Sequence, residues 1–257
     1  MTFDRREGRR IRYPALMTTV AGLIIGDEIL TGKVRDANGP LLIDLCRDLG
    51  VCLERLVYIG DEIEVIATEV RSCSEQFDAV VTSGGVGPTH DDRTVAAVAH
   101  AFGVRVDRHP DLEAMIRAWW GKRFTDAALR MADMPEGSRL LYGDDGLLPL
   151  VVFRNVYLFP GVPRLFEAKL GALRGELDGR PPTLRSIYLS SDESRVAPLL
   201  GQVADEFGEV KIGSYPRFDA EDHRVWVTVE APACHAVDAA VDRLLELLPD
   251  GEVVRVD

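Results

Sequence analysis

The chain has 257 residues, of which 46% are hydrophobic and 28% charged, and its formal net charge is −12 at pH 7. This length and apolar content are enough to bury a sizeable core and to divide it between two domains. The strong negative charge argues against general binding to nucleic acid or to an anionic membrane, because both partners require a basic surface.

Cysteine usage and the amino-terminal residues indicate the compartment. The four cysteines show neither the close spacing of a zinc site nor the density of a secreted disulfide scaffold, so we expect reduced thiols. Residues 1–14 contain five arginines and are predicted to form a flexible extension, since no signal-peptide apolar segment follows them. No stretch approaches the roughly 18 to 20 apolar residues of a membrane span. We therefore expect a cytoplasmic protein without a membrane partner.

Residues 15–177 are predicted to form an α/β domain. Residues 18–25, 51–59 and 79–82 have the apolar, β-branched composition of strands, and segments with helical periodicity lie between them. Strands that alternate with helices of this length form a mostly parallel sheet that is covered on both faces. A three-layer domain is therefore expected.

The next segment, residues 111–134, is predicted to be helical and contains the adjacent Trp119 and Trp120. Neighbouring helical positions point in different directions, so packing in a core or an interface is favoured over stacking of both rings on a base. Residues 155–159 then predict a strand, and an amphipathic helix follows Pro163.

A domain boundary is predicted at residues 178–182, which are polar and rich in proline. Beyond it, residues 183–257 show strand and helix patterns in the order βαββαβ, which is the order of a ferredoxin-like fold. We expect this smaller α+β domain to be an accessory or assembly domain, since the architecture alone implies no activity.

The loop after the third strand is the strongest functional signal. Residues 82–94 read TSGGVGPTHDDRT, with three glycines in four positions between an apolar strand and a helical run. Such glycines let the backbone turn tightly and approach a ligand, while the N–H groups of the following helix face a bound phosphate. The candidate ligand-binding positions in this loop are Ser83, Gly84, Gly85, Gly87, Pro88, Thr89 and Thr94.

Carboxylates in the same loop point to a metal ion. Asp91 and Asp92 would repel a phosphate unless a divalent cation bridged them to it. A structural role competes with this interpretation, because Thr89 and Asp92 have the spacing of a capping box. The adjacent His90 fits a general acid, a phosphate donor, a metal ligand or a solvated side chain equally well.

Two further polar segments are expected at the same edge of the sheet. Gly26-Asp27-Glu28 and Gly60-Asp61-Glu62 follow the first two strands, and ligands of open parallel sheets collect beyond the carboxyl ends of the strands. Convergence of these segments with the glycine loop on one crevice is therefore predicted. The repeated Gly-Asp-Glu also fits simple turn and helix-start chemistry.

Several motifs occur together in the order of a known family. They are residues 26–32 (GDEILTG), Asp36-Ala37-Asn38, Gly60-Asp61, the loop at 82–94, Arg130-Met131-Ala132 with Pro135-Glu136-Gly137, and residues 155–163 (NVYLFPGVP). With these motifs the chain resembles the MoaB/Mog-type molybdopterin-binding domains, and in particular the amino-terminal branch of CinA. It is also similar to the molybdopterin-binding-like domain of eukaryotic FAD synthases.

The resemblance implies roles for individual residues. Asp61 and Asp92 match the ligand-linked acidic positions of Mog-type domains and are implied to be catalytic. Asp27, Asp91 and Asp92 are the implied metal ligands. The remaining implied ligand-binding residues, besides those of the loop, are Gly26, Asp27, Glu28, Asn38 and Gly161.

By the same resemblance we expect metal-dependent hydrolysis of an ADP-linked pyrophosphate such as ADP-ribose or FAD. A molybdopterin- or nucleotide-binding module with little chemistry, and a molybdopterin adenylyltransferase, are the alternatives. The implied partners are a small nucleotide or pterin ligand, a class that includes molybdopterin, and further copies of the chain in a homo-oligomer. A divalent ion is also implied, and the sequence does not assign it to Mg, Mn or Co. Nucleic acid is not expected. The other catalytic domains of full-length CinA and of FAD synthases do not occur in these residues, so their activities are not expected either.

Overall fold

The chain divides into two compact units, one that extends to Gly179 and one from Arg180 to Asp257. The structure is a computed structural model that describes residues 18–257 except 144, 145 and 147. The Arg-rich stretch 1–14, which the sequence predicts to be a flexible extension, lies outside the described residues.

The first unit is built of short strands that alternate with helices. Its strands are β1 Thr19–Ile25, β2 Cys52–Ile59, β3 Ala79–Ser83, β4 Val106–Arg108, β5 Asp133–Pro135, β6 Arg139–Leu141, β7 Leu150–Phe153 and β8 Val156–Phe159. Its helices are α1 Asp27–Leu30, α2 Asn38–Leu49, α3 Ile63–Gln76, α4 Thr94–Phe102, α5 Pro110–Trp120 and α6 Pro163–Arg174.

The main sheet of this unit has the strand order β2-β1-β3-β8-β7-β6. The first four strands run parallel, and β7 and β6 are antiparallel additions at one edge. Strands β4 and β5 form a separate antiparallel pair. β3 is buried at every position, as expected for a parallel strand with helices on both faces.

Alternate residues of the strands face two different cores. Helices α2 and α6 pack Leu42 and Phe166 against one face of the sheet, where Val81 points. Helices α3 and α4 pack on the other face, around Val80 and Ile66. The predicted three-layer, mostly parallel α/β domain is thus confirmed.

The continuous helix predicted over residues 111–134 is wrong. Helix α5 ends at Trp120, and two 3-10 segments, Gly121–Arg123 and Asp126–Ala132, follow before β5. Gly121 adopts φ 49° and ψ −120°, which lies outside the α-helical region and ends α5. The apolar periodicity continues across this break because the later segment folds back onto α5, into the small core around Ile116.

The second unit has the element order predicted from the sequence. It consists of β9 Thr183–Leu189, α7 Glu193–Glu206, β10 Lys211–Pro216, β11 Val225–Ala231, α8 Cys234–Leu247 and β12 Val253–Val256. All strand pairs are antiparallel, in the order β10-β11-β9-β12. Val227 on the central β11 packs with Val196 of α7 and Val237 of α8. The ferredoxin-like βαββαβ arrangement is confirmed.

None of the helices within the described part of the chain combines the length and apolar content that a bilayer-spanning segment needs.

Limited proteolysis tests where the chain is most easily cut. Residues 180 and 181 are exposed, whereas Gly179 is held close to α2, since a Cβ there would stand 2.5 Å from the Leu49 carbonyl oxygen. Under native conditions we expect subtilisin to cut first within residues 180–182, because cleavage requires an accessible backbone that few contacts hold. Mass spectrometry of the fragments locates the cut. First cleavage inside the buried strand β3 would contradict this division.

Candidate functional site

The carboxyl ends of β1 and β2 are joined by hydrogen bonds. The two strands are parallel neighbours, so the residues that follow them meet at one edge of the sheet. The Gly26 N–H donates to the Ile59 carbonyl at 3.0 Å, and the Asp27 N–H donates to Asp61 Oδ2 at 3.0 Å. The Glu28 carboxylate folds back over Gly26, where a Cβ would stand 2.5 Å from Oε1. The two predicted Gly-Asp-Glu segments thus come together.

The glycine loop packs its backbone directly against its neighbours. Gly84 has φ 106°, and a Cβ on it would collide with the carbonyl oxygen of Ile25 at the end of β1. Gly85 has φ 68°, and a Cβ on it would collide with the hydroxyl of Thr94. Both the conformation and the close approach therefore require glycine at these two positions.

Thr94 ties the loop to the first turn of α4. Its hydroxyl donates to the Gly84 carbonyl at 2.7 Å, its N–H donates to the Gly85 carbonyl at 2.9 Å, and its side chain is fully buried. The first N–H groups of a helix lack intrahelical partners and carry partial positive charge. The predicted anion-binding positions thus surround the amino terminus of a nine-residue helix.

Asp92 closes the loop instead of capping the helix. Its Oδ2 accepts hydrogen bonds from Thr89 N at 2.8 Å and from Thr89 Oγ1 at 2.5 Å. Gly87 lies alongside, where a Cβ would stand 2.7 Å from the same oxygen. Helix α4 begins only at Thr94, with Arg93 as its cap residue. The capping-box interpretation of the Thr89 and Asp92 spacing is therefore wrong, and Pro88 directly precedes the turn that this pair closes.

Asp91 and His90 extend into solvent. Their side chains are 64% and 93% exposed, and His90 Nδ1 lies 3.8 Å from Asp91 Oδ1. Hydrogen bonding by the Thr89 side chain, with smaller contributions from the charges of His90 and Arg93, holds the pKa of Asp91 below its usual value. Asp91 is consequently an anion at neutral pH.

Asn38 connects the glycine loop to the loop after β8. It is only 4% exposed, and its Nδ2 donates to Ser83 Oγ and to the Gly161 carbonyl, both at 2.8 Å. Its Oδ1 is buried without a hydrogen-bond partner among the described residues. A buried acceptor without a donor is costly, so this atom fits a donor supplied by a ligand or a bound water.

Sequence reasoning assigned no role to three residues that shape the site. Asp36 accepts a hydrogen bond from the Asn38 N–H at 2.9 Å and another from Tyr58 OH at 2.8 Å. Partial burial, and then the bond to Asp36, raise the pKa of Tyr58, which keeps this phenol a donor. Arg93 Nη1 lies 3.5 Å from the Asp61 carbonyl and 3.4 Å from a Glu62 carboxylate oxygen. Asp36 belongs to the Asp36-Ala37-Asn38 motif, but only the fold reveals its hydrogen-bond partners.

The acidic side chains of the site do not gather into a metal cluster. Within the part of the chain that the structure describes, no three His, Cys, Asp or Glu side chains stand together as ligands for a metal ion. Asp27, Asp91 and Asp92, the implied ligand set, therefore do not form a closed metal site. Separate carboxylates of this kind are compatible with a Mg²⁺-like ion that arrives with a phosphate ligand, because that ion takes one or two carboxylates and fills its other positions with phosphate oxygens and water.

Comparison with known proteins identifies the family. Residues 21–174 match the family model described as "Probable molybdopterin binding domain". The chain belongs to this family. Residues 181–257 match a second model, "FAD synthase, middle domain".

Individual relatives of the family include both eukaryotic and bacterial proteins. The chain is 34% identical to "Probable FAD synthase" of Caenorhabditis elegans over 93% of its length, and 32% identical to a "CinA-like protein" of Myxococcus xanthus over 85%. It spans only 51% and 56% of these two relatives, about half of each. The crystal structure of CinA from Thermoplasma acidophilum is 30% identical, covers 62% of this chain and 98% of its own, and superposes with a TM-score of 0.57. The predicted membership of the CinA amino-terminal branch is confirmed.

Two alanine substitutions separate the close approach at Gly84 from backbone strain alone. Gly137 also has a positive φ, 87°, but a Cβ there would meet nothing within 4 Å. We expect Gly137→Ala to cost about 1 kcal/mol of unfolding free energy, from the strained φ, and Gly84→Ala at least about 2 kcal/mol, because the collision with Ile25 adds to it. Urea unfolding followed by tryptophan fluorescence measures both. Equal losses would show that the Gly84 contact is relieved by a small shift of the loop.

Proposed function

We propose that this protein hydrolyses the pyrophosphate of an ADP-linked dinucleotide such as ADP-ribose or FAD, with a divalent metal ion bound together with the substrate. The observation that carries the proposal is the glycine loop at the start of α4, which contains Asp91 and Asp92, together with Asp61, whose carboxylate accepts the Asp27 N–H at the ends of β1 and β2.

The loop supplies the phosphate site. Gly84 and Gly85 present backbone without side chains, and the amino terminus of α4 offers N–H groups to an anion. Arg93 adds a cation at the same helix start. The buried Asn38 Oδ1 accepts a hydrogen from a ligand hydroxyl or from a bound water. A phosphate is therefore held locally on a protein whose net charge is negative.

The carboxylates imply that a metal ion assists the reaction. They repel a bare pyrophosphate, so a cation must accompany the substrate. When bound, such an ion neutralises phosphate charge and lowers the pKa of a coordinated water. Asp27 and Asp61 are the residues that would hold it from the β1 and β2 side, and Asp92 from the loop side, where Thr89 fixes its carboxylate.

The relatives support an enzyme that acts on nucleotides. One is named a probable FAD synthase, and the carboxy-terminal residues match the middle domain of such proteins.

The family description favours a second candidate, a molybdopterin- or nucleotide-binding module with little chemistry, and the lack of a three-residue metal cluster among the described residues is consistent with it. A molybdopterin adenylyltransferase is a third candidate, in which the same phosphate site would serve adenylyl transfer.

Turnover with and without metal separates hydrolysis from binding. We expect purified protein to cleave at least one member of a panel containing ADP-ribose, FAD and NAD when Mg²⁺, Mn²⁺ or Co²⁺ is added, and to lose that activity after chelation, because the carboxylates then repel the substrate. Chromatography of the products measures cleavage. Unchanged turnover after exhaustive chelation would exclude the metal, and tight binding without turnover would favour the binding module.

Replacement of Asp92 by asparagine tests its role in the reaction. Asparagine Oδ1 can accept both hydrogen bonds from Thr89, so Asp92→Asn keeps the loop closed but removes the charge that a hard cation needs. We expect thermal stability to change little and turnover to fall about a hundredfold, about 2.7 kcal/mol of transition-state stabilisation.

Asp78→Asn is the matched control. Asp78 Oδ2 also accepts hydrogen bonds from both N and Oγ1 of one threonine, Thr19 at the start of β1, each at 2.8 Å. This pair lies at the amino ends of the parallel strands, away from the loop, so we expect turnover to be unchanged. If Asp92→Asn lost stability and kept its activity per folded molecule, Asp92 would be a loop-closing residue only.

A further inference from the structure

An apolar cavity lies beside the start of α4 and has no part in the phosphate chemistry proposed above. Its volume is about 290 Å³, and most of the side chains that line it are apolar. Val86 of the glycine loop, Val95 in the first turn of α4 and Pro160 all contribute to its wall. Pro160 precedes Gly161, where a Cβ would stand 3.2 Å from Gly84 Cα. The cavity thus shares its wall with the loops that border the proposed phosphate position.

Two tryptophans at the end of α5 form another part of the wall. Trp120 packs against the small core around Ile116, whereas Trp119 is 50% exposed. Because Trp119 lines the cavity and also meets solvent, the cavity reaches the surface beside this indole. An aromatic face in such a position stacks on a flat ring at little cost in desolvation.

The charged side chains of the wall already have partners. Asp133 pairs with Arg108 at 2.9 Å, and Lys169, which is only 5% exposed, also has an interaction partner. Among the described residues that line the cavity, no charged group is therefore left for the edge of a ligand ring. Such a wall recognises the flat apolar surface of a ring and is indifferent to its hydrogen-bonding pattern.

We propose that this cavity binds the flat heterocycle of the ligand whose phosphate lies on the glycine loop, and that it accepts purine, flavin and pterin rings alike. The proposal rests on the proposed function for the position of the phosphate. A volume at the lower limit of ligand pockets, roughly 300 Å³, suits one ring system. Trp119 supplies the stacking face, and Val86 and Leu165 supply apolar contacts.

Three ligands separate the contribution of the ring from that of the phosphate. Ribose 5-phosphate carries only the phosphate, adenosine only the ring, and AMP both, and none contains a pyrophosphate to cleave. By isothermal titration calorimetry we expect AMP to bind at least about tenfold more tightly than ribose 5-phosphate, the gain typical of a base stacked on an aromatic side chain. Equal affinities for these two ligands, or no binding of AMP and adenosine, would overturn the proposal.

Variants of Trp119 locate the ring. Trp119→Ala should lower the affinities for AMP and adenosine about tenfold and leave that for ribose 5-phosphate unchanged, because it removes only the stacking face. Trp119→Phe retains a flat ring and should keep most of the wild-type affinity. Phe218→Ala is the control and should change nothing, since Phe218 is 97% exposed on the second unit and does not line the cavity.

A second wall position gives an independent reading. Leu165, at the start of α6, lines the cavity and is 39% exposed. Leu165→Gln replaces apolar contact by a polar group of similar length, so it should also weaken AMP and adenosine and spare ribose 5-phosphate. Both side chains are partly exposed, so their replacement leaves no enclosed void, and thermal unfolding checks that the variants fold.

The variants also test whether a second copy of the chain occupies the cavity. If Trp119→Ala and Leu165→Gln bound AMP as tightly as the wild type, the proposal would be overturned. If they also lost self-association in sedimentation, the cavity would be an interface between copies of the chain.

The partners of the charged groups predict tolerance of different rings. GMP should bind within about threefold of AMP, a smaller difference than a hydrogen bond to a charged group provides. A larger difference would show that a polar group of the wall contacts the edge of the ring, and would overturn this part of the proposal.

The same titrations distinguish this proposal from the proposed hydrolysis. If AMP bound no more tightly than adenosine, the phosphate site and the hydrolysis that depends on it would fail, while ring binding would stand. If AMP bound no more tightly than ribose 5-phosphate but ADP-ribose or FAD was cleaved, hydrolysis would stand and the ring site would fail.

Discussion

The contact between the backbone of Gly84 and the carbonyl oxygen of Ile25 is the constraint on which the site depends. It leaves no room for a side chain, so the loop lies directly on the end of β1. Because Thr94 binds the carbonyls of Gly84 and Gly85, the same contact fixes where α4 begins. The direction of the helix amino terminus, and with it the proposed phosphate position, therefore depends on the absence of a side chain at Gly84.

A protein with a net charge of −12 binds an anion only by local means. The long-range field opposes a pyrophosphate, but it is screened beyond roughly 10 Å at ordinary salt. Inside that distance the helix amino terminus and Arg93 act on a phosphate directly. In the proposed function, the carboxylates make the cation part of the recognition, since without it the local charge also opposes binding. Metal and substrate are thus expected to bind cooperatively.

The sequence predicted the architecture well because strands and helices leave a periodic signal. β3 and the βαββαβ order of the second unit follow from apolar patterns and turn residues alone. The prediction from sequence failed where a single residue interrupts a helical apolar pattern that continues beyond it, as Gly121 does after α5. Contacts between distant segments also left no signal: Tyr58 reaches Asp36 across 22 positions, and Trp226 lies between Tyr215 and Tyr188 in the register of three strands. Patterns reveal which face a residue occupies, but only the strand order reveals its neighbour.

In the proposed function, the glycine loop recognises the phosphate of the ligand and not its ring. The loop uses backbone groups of Gly84 and Gly85 and the start of α4, which respond to phosphate charge and are indifferent to the base or flavin attached to it. Any choice between ligands must therefore come from side chains elsewhere in the unit. A motif confined to residues 82–94 can accordingly indicate a phosphate-bearing ligand but cannot identify it.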